Sequence, residues 1–411
     1  MRKLLSIVLS TVLVLSACGG NNSAPGLPRL VVEPDDGRAP LLEVIAGATD
    51  NIRLTIYALS DLQSVEQTPP APVASVARAL IDKAQSGVAV RVIVDQSQYG
   101  GTGANAQAMQ QTVAALRSAG ALVYLSNTDF CFTHQKTFVI DGPTPAKPTL
   151  GGTAIIMSLN LTPGYFGGTR DYAVITNHAS LVAEVSRVFD SDFALANPAA
   201  PANPAGACLY AHYPWQTKPP PSSTDTLTVS EGDLLWSPVN SKSKLLQLMA
   251  SVNQSLVLTT EELTDSEMVC QIRSVAQSAA RPSVRILLSG DTGSNASAVK
   301  TLLDLGLPNL SIRIMPGQPT TSVSPPTPTP LYMHGKQVIV DGVQAFIGSE
   351  NLTNTSLIQN RELGLLFTDP VMIARLQSVF TSDFTTPGSA VAAQACTEGT
   401  GCNPIPCPAQ P

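Results

Sequence analysis

Apolar positions fall along this chain with two alternating periods. Val73, Val76, Leu80, Ile81 and Ala84 recur at helical spacing, and Gly87 stands where a C-terminal cap belongs. The β-branched run 88–94 (VAVRVIV) follows and reads as a strand buried on both faces. Later the order recurs, with a helical pattern over 265–280 and then the strand-like run 283–288 (SVRILL). Helix followed by strand, repeatedly, predicts a layered α/β fold around a mixed or mainly parallel sheet.

The recurrence is a duplication. Leu41-Leu42-Glu43-Val44-Ile45 through Leu59-Ser60-Asp61 aligns with Leu245-Leu246-Gln247-Leu248-Met249 through Leu263-Thr264-Asp265, 204 residues on. Val188-Phe189-Asp190-Ser191-Asp192-Phe193 matches Val379-Phe380-Thr381-Ser382-Asp383-Phe384 at an offset of 191. Copies of roughly 150 residues are too long for a solenoid unit and read as duplicated domains. The expected boundaries are 38–196 and 228–388, joined by a Pro-rich linker over 197–227 and followed by a Cys/Pro-rich tail over 389–411.

The first residues suggest a destination. Met1-Arg2-Lys3 is a short positive start, and the uncharged run 4–17 (LLSIVLSTVLVLSA) is too short to span a bilayer. It ends in Leu15-Ser16-Ala17-Cys18, so 1–17 reads as a lipoprotein signal peptide with Cys18 the lipidated residue. Residues 18–37 read as a tether. These features predict a protein anchored by lipid in the bacterial cell envelope, with its body facing the periplasm or exterior. No other apolar run approaches membrane length.

Composition narrows the function. The chain is 44% hydrophobic and 13% charged, which excludes intrinsic disorder and a long coiled coil. The net charge of −6 becomes −8 without Arg2 and Lys3, so the bulk electrostatic footprint of a sequence-independent nucleic-acid binder is missing. Beyond Cys18, the chain has Cys131, Cys208, Cys270, Cys396, Cys402 and Cys407. In an exported protein this even number suggests up to three disulfides, with the pairing open.

The chemistry sits in two matching constellations. His134-Gln135-Lys136 is followed by Asp141, and His334-Gly335-Lys336 by Asp341 at the same spacing. Both lie against strand-like runs, 137–140 (TFVI) and 337–340 (QVIV), and alternation puts His and Lys on one face. Ser158-Leu159-Asn160 parallels Ser349-Glu350-Asn351. Thirteen residues beyond each Ser stands an acid, Asp171 after Arg170 and Glu362 after Arg361. One such motif could be an accident, and a lone His near a strand is most often structural. Here two of the four His in the chain head the same motif in two repeats. His178 and His212 have no paired context.

These residues resemble the phospholipase D superfamily, whose signature is HxKxxxxDxxxxxxGSxN in two copies. The second copy fits at His334, Lys336, Asp341, Gly348, Ser349 and Asn351. In the first, nine extra residues separate Asp141 from Ser158, Met157 replaces the Gly, and the carboxylate is Asp171 where the family often has Glu. The resemblance covers nearly all of 38–388 and implies two duplicated α/β domains, each a mixed sheet flanked by helices, sharing one active site.

It also implies roles. One neutral His attacks phosphorus and forms a phosphohistidine, while the other, protonated, serves the leaving group and then activates water or an alcohol. Asp171 and Glu362 would fix the His tautomers, each serving the His of one half. Lys136, Lys336, Asn160 and Asn351 would hold the non-bridging oxygens, with Ser158 and Ser349 steadying the network. Asp141 and Asp341 are more structural than chemical. Analogy favours His134 as nucleophile. No metal or cofactor is needed, since no ligand cluster accompanies the motifs and the Lys residues supply positive charge.

The leading expectation is therefore a monomeric envelope phosphodiesterase acting on phospholipid. The runner-up is a nuclease of the same superfamily, sharing every catalytic residue. A cardiolipin synthase-like transferase is weakened by the absence of transmembrane runs. A non-catalytic scaffold or binding lipoprotein is the alternative from another class. The Pro/Thr segment 316–330 ahead of His334 reads as a loop on the rim of the active site.

Overall fold

The computed structural model describes residues 28–62, 75–149, 151–198, 228–229, 232–290, 293–317, 331–386, 390–391 and 403–407. The first half forms β1 (Arg29–Glu33), β2 (Asn51–Ile56), β3 (Ala89–Val94), β4 (Leu122–Leu125), β5 (Thr137–Ile140), β6 (Thr153–Met157) and β7 (Thr169–Thr176). The second forms β8 (Thr228–Val229), β9 (Gly232–Ser237), β10 (Ser255–Thr260), β11 (Ser283–Ser289) and β12 (Leu310–Met315). It continues with β13 (Tyr332–Met333), β14 (Lys336–Val340), β15 (Gln344–Gly348), β16 (Glu362–Phe367) and β17 (Ala390–Val391).

The two sheets share one topology. The first runs β1-β7-β6-β5-β2-β3-β4, and the second runs β17-β12-β11-β10-β14-β15-β16-β9-β8, the same order read backwards with an extra strand at each edge. In each, three strands are parallel and the rest antiparallel, so both sheets are mixed. Helices make the parallel crossovers. Val76–Gln85 starts at Ser75, whose hydroxyl accepts from Arg78 N, and the chain turns at Gly87 with φ +93°. Its counterpart Ser266–Gln277 is capped by Asp265 and is shorter than the sequence pattern over 265–280 suggests.

Each sheet buries an outer face under its own helices, around Leu54, Leu80 and Val113 in one half and Leu258, Ile272 and Leu302 in the other. The inner faces share a single apolar layer. Val139, Ile156 and Val174 pack there with Ile339, Ile347 and Leu365, alongside helices Ala179–Leu195 and Pro370–Thr385. Among the described residues, no helix is long and apolar enough to cross a membrane.

One boundary needs correcting. The expected tether over 18–37 ends early, because Arg29–Glu33 is an edge strand antiparallel to β7 with Leu30, Val31 and Val32 buried. Three successive apolar residues outweigh the Pro and Gly around them. At the other end, Cys270 and Cys407 form a disulfide and β17 pairs with β12. Residues 1–17, Cys18, Val73, Cys208, His212, Cys396 and Cys402 lie outside the described residues, as do most of the linker and of 316–330.

Candidate active site

The two halves exchange backbone where their motifs begin. β13 pairs in parallel with β7 of the other half, Tyr332 with Thr169 and Met333 with Arg170. Thr133 makes the mirror-image bridge to Arg361. Gly335 N donates to Arg170 O at 2.7 Å, and Gln135 N donates to Arg361 O at 2.8 Å. This register sets each His beside the carboxylate that follows the partner Arg.

The carboxylates therefore cross over. His134 Nδ1 lies 3.0 and 2.9 Å from the two oxygens of Glu362, and His334 Nδ1 lies 2.8 Å from Asp171 Oδ1. Asp171 and Glu362 thus each lie against one His, that of the opposite half. With Nδ1 tied to a carboxylate, Nε2 of each ring is left for chemistry. Ser158 Oγ donates to Asp171 Oδ1 at 2.6 Å, and Thr169 Oγ1 donates to Oδ2 at 2.6 Å. Glu362 accepts from Ser356 Oγ at 2.7 Å and Asn360 Nδ2 at 2.9 Å, and Leu363 N donates to Ser349 Oγ at 3.1 Å.

Electrostatics follow burial. Desolvation lowers the His134 pKa to about 4, against the pull of Glu362, so its ring is neutral at ordinary pH. Burial brings Lys136 down to about 7. Burial works upward on Asp171 and Glu362, but their His and Lys neighbours outweigh it and hold both below the usual carboxylate range. The Lys side chains are buried, Nζ of each folded onto the carbonyl of its own motif's His.

Asp141 and Asp341 lie at the far ends of β5 and β14 from the His. Asp141 accepts from the backbone N–H of Thr49, Asp50 and Asn51, and Asp341 from those of Asn253, Gln254 and Ser255. Each closes the start of a neighbouring strand. The nine-residue insertion follows Asp141 and so lies at the end of β5 remote from His134. Met157 in place of Gly is also accommodated. In the second half a Cβ at Gly348 would collide with the Glu350 carboxyl and the Gly364 backbone, whereas the first half has Leu159 in place of Glu350 and pairs Met157 with Ala173. Burial and Glu362 push the Glu350 carboxyl up to about 8.

Several residues of the site escaped the sequence reading. Arg170 grips Asp383 through Nε at 2.7 Å and Nη2 at 3.0 Å, and Arg361 grips Asp192 through Nε at 2.8 Å and Nη2 at 2.7 Å. Both are bidentate links between halves, each on the residue before a His-orienting carboxylate. Their signal was present, since Asp192 and Asp383 sit in the repeated 188–193 and 379–384 segments. Tyr57 stands edge-on to His134 at 4.6 Å between ring centroids, and Tyr165 edge-on to His334 at 4.8 Å. Glu261 bonds Lys336, Asn351 and Tyr332. None of these three has a motif to betray it.

The profile of the family described as "Cardiolipin synthase, PLD-like domain" matches residues 41–193 and 245–384. No curated protein matches in sequence. Among solved structures, phosphatidylserine synthase from Haemophilus influenzae superposes with a TM-score of 0.61 at 15% identity, covering 89% of this chain and 87% of the other. Polyphosphate kinase from Porphyromonas gingivalis gives 0.57 at 16% identity, covering 87% of this chain, which spans half the length of that kinase (50%). At such identities the superpositions speak for the fold alone. The profile covers both halves and most of the chain, and the protein belongs to the phospholipase D-like family.

Proposed function

We propose that the protein is a phosphodiesterase that works through a covalent phosphohistidine, with phospholipid as its substrate. The observation that carries this reading is the crossed pair of His–carboxylate dyads, brought together with two buried Lys and two Asn. His134 is the nucleophile: its ring is neutral, and its side chain is 13% exposed against 3% for His334. Nε2 of His134 attacks phosphorus, and His334 gives a proton to the departing alkoxide. His334 then takes a proton from water or an alcohol, whose oxygen displaces His134. Lys136, Lys336, Asn160 and Asn351 offset charge on the non-bridging oxygens.

An envelope location through Cys18 fits this substrate, because a lipid anchor holds the enzyme against its own substrate surface. The test is turnover by purified protein on phospholipid vesicles, single-stranded DNA and bis(p-nitrophenyl) phosphate, with and without a primary alcohol. Release of headgroup from vesicles supports the reading. Cleavage of DNA alone would move it to a nuclease, and inertness toward all three would sink it.

A further inference from the structure

The two halves differ at a position beside the motif Lys that faces the reacting groups. Thr55 pairs with Thr137, and Thr259 with Gln337, each one residue after a motif Lys. Two residues further along, Tyr57 and Glu261 are therefore structural equivalents. In the first half the Tyr57 ring lies 5.2 Å from Lys136 Nζ, a soft and displaceable neighbour. In the second a full carboxylate takes that place. Glu261 Oε2 lies 3.1 Å from Lys336 Nζ, 3.1 Å from Asn351 Nδ2 and 3.6 Å from His334 Nε2. Tyr332 OH fixes the other oxygen at 2.6 Å. Burial works upward on this carboxyl, but Lys336 and His334 outweigh it and keep it ionised.

Of these, Lys336 and Asn351 are donors assigned above to phosphate oxygens. We propose that Glu261 is an internal stand-in for phosphate, a specificity-determining carboxylate that favours singly charged phosphodiesters over doubly charged phosphate groups. The inference rests on the phosphodiesterase reading of the same site. A ligand phosphate must share Lys336 and Asn351 with Glu261 or displace it, and in either case its charge lies close to a fixed negative charge. That penalty grows with ligand charge and so offsets the stronger attraction that Lys336 would otherwise have for a doubly charged ligand. A diester carries one charge, and a phosphomonoester or free phosphate carries two near neutral pH. The first half holds no such carboxylate, so the fold does not require one here.

The test is binding to the purified full chain at pH 6, where sulfate is doubly charged and dimethyl phosphate singly charged. Glu261→Gln keeps the shape and removes the charge. It should tighten binding by roughly tenfold per ligand charge, so sulfate gains about tenfold more than dimethyl phosphate. Glu261→Asp, with a shorter arm, should shift the ratio the same way by less, and it serves if the Gln variant does not fold. Equal tightening of both ligands, or weaker binding of either, would overturn the proposal. Selective tightening in a protein that cleaves no diester would keep Glu261 as a charge filter and discard the reaction. Diester cleavage with an unchanged ratio would do the reverse.

Discussion

Glu362→Gln isolates what the crossed carboxylate does for His134. The side chain keeps its volume and its contacts with Ser356 and Asn360, and loses only the charge facing Nδ1 at 2.9 Å. When His134 attacks phosphorus, its ring becomes positive. A carboxylate about 4 Å from the centre of that charge is worth about 4 kcal/mol at an effective dielectric near 20. That is about a thousandfold in rate, in line with the roughly ten-thousandfold loss when the carboxylate of a hydrolase triad is neutralised. The amide can also turn its NH2 toward the ring, favouring the tautomer whose Nε2 carries a proton and cannot attack.

The assay is single-turnover cleavage of a p-nitrophenyl phosphodiester, whose leaving group needs no proton. Adduct formation is followed by release of p-nitrophenolate and by intact-protein mass. Glu362→Gln should slow adduct formation about a thousandfold. Asp171→Asn, which of the two His touches only His334, should leave formation within about tenfold and slow breakdown of the adduct. A loss under tenfold in the Glu362 variant would refute the electrostatic argument. Greater damage to adduct formation in the Asp171 variant would reverse the assignment of the two His.

Lys136 is charged below about 7 and neutral above it, and His134 is neutral only above about 4. kcat/KM should therefore peak between these values and fall as pH rises through about 7, while bound phosphate carries the alkaline limb of kcat higher. Asp383→Ala removes the bidentate partner of the buried Arg170 guanidinium, leaves it Asp35 and the Glu33 carbonyl on Nη1, and should cost about 1.5–3 kcal/mol in urea unfolding; a cost below about 1 kcal/mol would mean the clasp is slack. Activity should survive exhaustive chelation, and loss with recovery on adding a divalent ion would contradict the Lys-based charge stabilisation. Cys18→Ser should abolish labelling by a fatty-acid probe and move the protein from membrane to soluble fractions.

Periodicity and repetition made much of this molecule legible. The alternation of helical spacing with β-branched runs encodes the crossover helices and the parallel strands, and the paired motifs encode which residues converge. Pairing across the halves was not legible. It depends on which segment of the other half each His motif pairs with, such as Gly335 N on Arg170 O, and pairing between segments so distant in the chain has no local sequence signal. Glu261 was hidden for a related reason, since only the pairing of β10 with β14 reveals that it faces Lys336 rather than solvent. β1 was missed because Pro- and Gly-rich surroundings masked a short apolar run.

Duplication alone would make two equivalent His, and a two-step displacement needs them to differ. The differences are all in what surrounds them. Glu261 lies by Nε2 of His334, while a tyrosine ring occupies the equivalent place beside His134. A carboxylate at that nitrogen lies where a proton would pass to the leaving group, whereas the equivalent position beside His134 carries no charge. Exchanging the pair tests whether these neighbours assign the roles. Tyr57→Glu combined with Glu261→Tyr should shift the phosphoryl adduct from His134 toward His334, read by peptide mapping after brief exposure to the activated ester. An adduct that stays wholly on His134 in a folded double variant would show that the division of labour lies elsewhere, with the Asp171 and Glu362 dyads as the remaining asymmetry.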